Sequence, residues 1–468
     1  MELRLLLFER MSRGVKIDRG HLARPGADVI AHAGKMPAVR LRGPGLVNGC
    51  RPASYCNAPV SGYCRARSQG GAGGPHAPSA CFDIAVILVK RRACRLGAAA
   101  GLALLVTAGA AKADALALPA ISPPLVANPN PFSFAAGPLG TIYVGGMVSG
   151  FALAQNNPYA GDINSRWDLS NAQLVVQKTD GLVQFYVQAG QYDVPALATP
   201  TVSSSYYTNH AFGFVPQAFL KLAPTDNFSI EVGKLPTLIG DENTFSFQNP
   251  NIERGLGWNQ TNGQTRGVQA NYTIGPVLLN LSWSDGYYSD RFNWISGMAT
   301  WTIDSANTLG LVGAGNAGKT PANTFITPLF QNNQQIYDLI YTRTAGAWVL
   351  QPYVQVSQVP EDRAIGIDSS GSTWAAAFLV NYNIAPNWNL AGRIEYIGTS
   401  GGLNLLEGPA GNAWSLTVTP TFQYKIYFMR AEASYVVADR TTQGETTFGE
   451  FGTKSNQFRA LLETGVLF

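Results

Sequence analysis

Asn456-Gln-Phe-Arg-Ala-Leu-Leu-Glu-Thr-Gly-Val-Leu-Phe468 is the stretch whose reading decides the fold. One parity holds Phe458, Ala460, Leu462, Thr464, Val466 and Phe468; the other holds Gln457, Arg459, Leu461, Glu463, Gly465 and Leu467. Alternation with period 2 marks a strand with one apolar face and one polar face. The segment stops on an aromatic residue, where a soluble terminal strand usually trails a few polar ones. Two architectures fit this stretch by itself: the edge of a soluble β-sandwich, or the closing strand of a barrel in a membrane.

Working back from it, the same period recurs. In 347–358, Trp348, Leu350, Pro352, Val354 and Val356 alternate with Gln351, Tyr353, Gln355 and Ser357. In 413–424, Trp414, Leu416, Val418, Pro420, Phe422 and Tyr424 alternate with Ser and Thr. Such runs last about 10–13 residues, against the 5–6 usual in globular sheets, and a membrane strand needs about 9–11 at its usual tilt. Short connections (Thr179-Asp-Gly181, Gly275-Pro276, Ala345-Gly346, Pro386-Asn387) alternate with long ones (156–168, 194–209, 236–262, 317–333, 398–412, 439–455). The breaks delimit 16 strands, from 141–155 to 456–468, with one at 210–223 and no helix longer than a turn; 14 or 18 strands also fit, because three segments are Gly-rich or irregular. The expected fold is an all-β, transmembrane, antiparallel up-and-down β-barrel with a long third loop. A sandwich offers no reason for the long-short rhythm.

The first hundred residues are a different polymer. All five cysteines and three of the four histidines lie before residue 95, in spacings that match no zinc pattern. Lys90, Arg91, Arg92 and Arg95 precede an apolar run from Leu96 to Ala111, closed by Ala111-Lys112-Ala113. That order of parts is a Sec-type signal peptide over 89–113, too short for a transmembrane helix. Residues 1–88 then read as a mis-assigned or disordered extension, 114–140 as a Pro/Ala-rich periplasmic arm without a core, and 141–468 as the barrel. Residues 1–113 carry 17 of the 33 basic and 5 of the 29 acidic residues, which leaves 16 and 24, a net charge of −8. Nucleic acid is therefore an unsupported partner, and the balance points toward cations.

The apolar parity should meet lipid. Trp283, Trp301, Trp348, Trp374, Trp388 and Trp414 sit on it near strand ends, as two aromatic girdles would require. The polar parity should line a water-filled lumen. Arg393 and Glu395, Arg430 and Glu432, and Arg459 and Glu463 all fall on it, in one sector of the wall. An Arg on the lipid face near the midplane would cost about 2–4 kcal/mol, so the inward placement is favoured. As salt bridges on a wet wall or as selectivity groups, these six are the candidate lumen residues.

The third long connection is the longest, and mixes Phe245, Phe247, Ile252 and Leu256 with Asp241, Glu242, Glu253 and Arg254. Long loops without secondary structure are usually functional or disordered, and this apolar content argues against disorder. Val232-Gly-Lys234, then Leu235-Pro-Thr-Leu-Ile-Gly-Asp-Glu242, then Gln248-Asn-Pro-Asn-Ile-Glu-Arg254 resembles the G-K-x-x-x-x-x-G-x-E and N-x-x-x-x-R segments of the β-barrel porin-2 (OmpL-like) family. The aromatic ending likewise resembles the last strand of bacterial outer-membrane barrels, whose terminal Phe, here Phe468, is read by the barrel-assembly machinery. The resemblance implies a Gram-negative outer-membrane porin passing small hydrophilic solutes, a possible homotrimer, and a third loop folded into the lumen. Asp241, Glu242, Glu253 and Arg254 would then lie in the constriction, opposite an Arg-bearing wall, and set up a transverse field. No cofactor, metal or enzymatic step is expected. The alternatives are a substrate-selective transporter and an outer-membrane hydrolase. The hydrolase needs a His base for a Ser nucleophile; from 114 onward the chain has only His210, expected at the start of a strand with no nucleophile partner in sequence.

Overall fold

The computed structural model describes residues 124–401, 410–441 and 448–468 of the chain. The expected extension, the signal peptide and residues 114–123 of the arm lie outside the described residues. Seventeen strands run in chain order: β1 (Phe132–Ala135), β2 (Thr141–Gln155), β3 (Ser165–Lys178), β4 (Val183–Tyr192), β5 (Gln217–Thr225), β6 (Phe228–Pro236), β7 (Gln264–Ile274), β8 (Val277–Ser284) and β9 (Trp294–Asp304). After them come β10 (Asn307–Asn316), β11 (Gln335–Ala345), β12 (Trp348–Val359), β13 (Gly371–Ala385), β14 (Trp388–Gly401), β15 (Ala410–Tyr424), β16 (Tyr427–Thr441) and β17 (Asn456–Leu467). Each of β2 to β17 pairs antiparallel with its sequence neighbours. The circle closes where β17 meets β2, in register from Arg459 opposite Gln155 to Leu467 opposite Met147. Strands β2–β17 thus make a closed barrel of 16 strands, and closure removes the unpaired edges that hydrocarbon would not tolerate.

Local chemistry accounts for the tight ends. Ile274 pairs with Val277 and Ala345 with Trp348, leaving two-residue turns that begin with Gly275 (φ 54°) and Gly346 (φ 60°). A left-handed first residue matches the twist of the flanking strands, and glycine reaches it without strain. The six tryptophans of the apolar parity are 45–56% exposed on the outer surface. Four of them meet neighbouring rings at two levels: Trp348–Tyr382 (4.2 Å) and Trp388–Phe422 (5.0 Å) near the short turns, and Trp374–Tyr396 (4.7 Å) and Tyr396–Trp414 (4.6 Å) near the long loops.

Three sequence expectations need correction. The strand expected at 210–223 starts at Gln217, and the residues before it form a helix, α1 (Ser204–His210), started by Ser203, whose hydroxyl accepts the Tyr206 N–H at 3.2 Å. His210 therefore ends a helix and stacks on Tyr206 at 4.0 Å. The third strand starts at Ser165, four residues early, and carries an irregularity opposite Ser149 and Gly150. That bulge brings both Ser170 and Asn171 onto the inner wall. Residues 124–140, read as an arm without a core, pair through β1 with Thr141–Val144, and Leu125 is buried.

Candidate pore constriction

The third long loop, 237–263, leaves the barrel wall after β6 and returns at β7. Its apolar residues are the reason it folds inward: Phe245, Phe247, Ile252 and Leu256 are fully buried, none of them facing solvent beyond the rim. Phe245 stacks on Phe247 (5.9 Å) and meets Tyr192 of β4 edge-on (5.2 Å), while Ile252 packs on Phe151, Leu153 and Leu461 of the inner wall. Two single-turn 3-10 helices, Ser246–Gln248 and Gly257–Gln260, compact the loop.

The polar residues then dock it on the wall. Arg393 of β14 donates to Glu242 Oε1 (2.5 Å) and to the Glu253 carbonyl (2.9 Å), and its guanidinium lies 3.0 Å from Glu395. Arg430 of β16 pairs with Glu463 of β17 and donates from Nη1 to the Asn249 carbonyl (2.9 Å). Glu463 also accepts from Ser149 (3.1 Å), from Ser246 of the loop (3.0 Å) and from Ser170 at the bulge. Arg459 of β17 donates to Glu253 Oε1 (2.8 Å) and to the Ala196 carbonyl (2.8 Å). Glu432 of β16 accepts the backbone N–H groups of Ile252 (2.5 Å) and Glu253 (2.9 Å). Charge-assisted bonds of this kind are about twice as strong as neutral ones.

The six wall residues named from parity therefore do point inward and do share one sector. The structure corrects their relation to the loop. Instead of facing it across water, they touch it: the Arg393 and Glu242 side chains are 0% and 4% exposed, and Arg459 and Glu253 are 2% and 0%. Charges separated by an open channel would remain hydrated; these are buried against each other. Gly255 is what lets the backbone come this close. A Cβ there would sit 2.0 Å from Glu395 Oε1, and the Gly255 N–H donates to Glu242 Oε2 at 2.7 Å.

Two of the four loop residues stand apart. Arg254 is buried, with its Nε donating to the Pro195 carbonyl (3.2 Å) and burial lowering its pKa. Its backbone forms a parallel bridge with Ala196, so the second long connection covers the third. Asp241 is half-buried and lines an 80 Å³ cavity with Gln217, Asn243, Thr244 and Gln264. Burial, then the carboxylates of Glu242 and Glu395, hold its carboxyl well above the usual range. Sequence reasoning missed Pro195–Thr199, which offers only carbonyls to Arg254 and Arg459, and Asp338, which accepts the Gly240 N–H at 2.8 Å. Carbonyl acceptors leave no side-chain signal.

The opposite wall is chemically different. On the inner face of β6–β8, Asn271 accepts from Gln269 (2.8 Å) and Asn280 (2.7 Å) and donates to Ser229 (3.2 Å). Lys221 and Glu231 lie 4.0 Å apart on β5 and β6. Among the described residues no cluster of acidic, His or Cys side chains could hold a metal.

The described family "Putative beta-barrel porin-2, OmpL-like" matches residues 141–468. No curated protein matches the chain in sequence. Among solved structures, the outer membrane channel DcaP of Acinetobacter baumannii is similar at 11% identity and a TM-score of 0.49, over 70% of this chain and 97% of its own. A loop L8 deletion mutant of OmpT, an outer membrane protein of Vibrio cholerae, gives 11% and 0.47 over 70% and 99%. OprB of Pseudomonas putida gives 10% and 0.46 over 70% and 94%. The match to the family covers the whole barrel, from the start of β2 to Phe468, and the chain belongs to that family of outer-membrane porins, channels for passive diffusion.

Proposed function

We propose that the third loop is the constriction of this porin and that the passage beside it favours small neutral or weakly charged hydrophilic solutes. The observation that carries this reading is the engagement of all three wall arginines. Arg393, Arg430 and Arg459 are each within hydrogen-bond reach of a carboxylate and are at most 2% exposed. A paired, dehydrated charge contributes little field to a solute passing beside it. The amides and hydroxyls of β6–β8 offer donors and acceptors that can exchange with a solute's own hydration shell. Asp241, half-buried at the loop's margin, supplies a weak preference for cations once its raised carboxyl ionises. Export by the signal peptide, assembly through Phe468 and a homotrimeric state complete the proposal, and rest on the sequence and the family.

Reconstitution into a planar bilayer tests it. Large, long-lived ohmic steps with a small, cation-directed reversal potential in a salt gradient are expected. Neutral solutes should swell protein-containing liposomes at rates that fall with solute size. Silence at high protein density, or strong anion preference, would reject the reading.

A further inference from the structure

The segment leading to β1 enters the barrel. Leu125 is 1% exposed and belongs to one continuous apolar cluster with Met147, Phe428 and Leu467, which lie on the inner faces of β2, β16 and β17 at the short-turn end. The same cluster contains Phe245 and Phe247 of the third loop. Next to Leu125, Val126 is held by two bonds to one side chain: its N–H donates to Gln423 Oε1 (2.8 Å), and Gln423 Nε2 donates back to its carbonyl (2.8 Å). Gln423 is on the inward parity of β15, two residues from Thr421. A turn in which Asn128 Oδ1 accepts the Asn130 N–H (3.0 Å) then carries the chain to β1, whose Phe132 and Phe134 are exposed. The strap is therefore fixed at both ends, by Gln423 and by the pairing of β1 with Thr141–Val144.

A packed hydrophobe inside a water-filled barrel needs a physical reason. A lone Leu in a hydrated lumen would gain little, and an extended segment loses backbone entropy when fixed. Here the apolar collar of Met147, Phe428 and Leu467 would otherwise face water directly beneath the loop. Phe428 also carries the Arg430 guanidinium over its ring at 5.8 Å, and Arg430 is the group that donates to Asn249 of the loop. Leu125 and Phe428 share one apolar cluster, and Phe428, Arg430 and Asn249 continue it to the loop.

We propose that residues 124–131 are a lumenal strap that buttresses the third loop from below and narrows the short-turn mouth of the pore. This rests on the loop being the constriction. Leu125→Asp, which puts a charge into the apolar cluster, and Val126→Pro, which removes the donor to Gln423, should each raise the single-channel conductance and add flicker, because the loop loses its floor. Phe132→Ala, which trims an exposed side chain, should change neither. Labelling gives a test independent of conductance: from residue 95 onward the chain has no cysteine. Measured against the parent chain, Leu125→Cys should resist a maleimide until the barrel is denatured, while Leu139→Cys, 56% exposed, should react at once. Rapid labelling at both positions, or strap variants with parental conductance, overturns the strap. If Arg430→Ala opens the pore while Leu125→Asp does not, the constriction stands and the strap alone fails.

Discussion

Two walls of the barrel differ in length and in chemistry. Strands β13–β17 with β2 and β3 run 12–15 residues, whereas β5–β10 run 8–11. A span of about 9–11 residues crosses the hydrocarbon, so the shorter wall does little more than cross it. The longer wall has residues to spare, and it carries Arg393, Arg430, Arg459, Glu432 and Glu463, all engaged with the third loop or with each other. The shorter wall carries partly buried Asn271 and Asn280 on its inner face, bonded to the buried Gln269 and Ser229. The difference teaches where specificity of position is needed. Buried ion pairs add little net stability over a hydrophobic replacement, yet losing one partner is severe, so they suit a contact that must hold a loop in one place. Amides and hydroxyls, which bond equally well to water, suit a surface that solutes brush past.

The largest effect should come from the long wall. Arg430→Ala strands Glu463 at 0% exposure with only hydroxyl partners and removes the donor to Asn249. Breaking a buried pair this way costs about 3–5 kcal/mol. The folded barrel should lose its heat-resistant gel mobility at a distinctly lower temperature than the parent, and an unchanged transition would break the comparison. Glu242→Gln comes next. It weakens the ties to Arg393 and the Gly255 N–H without emptying the site, so the barrel should assemble while the conductance step rises and becomes noisier. A quiet, parental step would mean that Glu253 and Glu432 hold the loop unaided.

How much of this was legible beforehand follows from the range of each interaction. Strands and turns are local: period 2 and the Gly275 and Gly346 signals placed nearly every boundary, and the parity of Arg459 and Glu463 fixed which way they point. The helix Ser204–His210 was missed because Ser-Ser-Tyr-Tyr-Thr-Asn-His has no apolar stripe, and its one cue is the hydroxyl of Ser203. The contacts of loop and strap with the wall were not legible. Arg393 and Glu242 are 151 positions apart, Val126 and Gln423 297, and only the path of the loop and strap through the lumen brings them together. A charged loop and a charged wall looked like two plates facing each other, since parity reveals direction and not distance.

Asp241 gives a smaller, pH-dependent effect. Its pKa is raised in the folded chain, so the protonated form is favoured there relative to the unfolded chain. Its contribution to stability is present below the ordinary carboxylate range and is lost as pH rises through the raised value. Its charge appears over that same upper range, and cation preference should grow with it. Reversal potentials measured from acidic to alkaline pH should drift toward cations in the parent and stay flat in Asp241→Asn. A drift that survives the substitution would assign the charge elsewhere on the loop.

The smallest effect is the one that tests the short wall. Asn271→Ala removes the acceptor of Gln269 and Asn280 and the donor to Ser229. Three bonds are lost on paper, as many as Arg430→Ala removes, but Asn271 and Asn280 are only partly buried, so water from the lumen can replace the Asn271 amide. The net value of such bonds is about 0.5–1.5 kcal/mol each when the partners are sealed from solvent, and the penalty shrinks when they rehydrate. Heat-resistant mobility and conductance should therefore both stay near parental. If Asn271→Ala instead destabilised the barrel as Arg430→Ala does, this wall would be as dry as the other, and the solute path would have to run somewhere else.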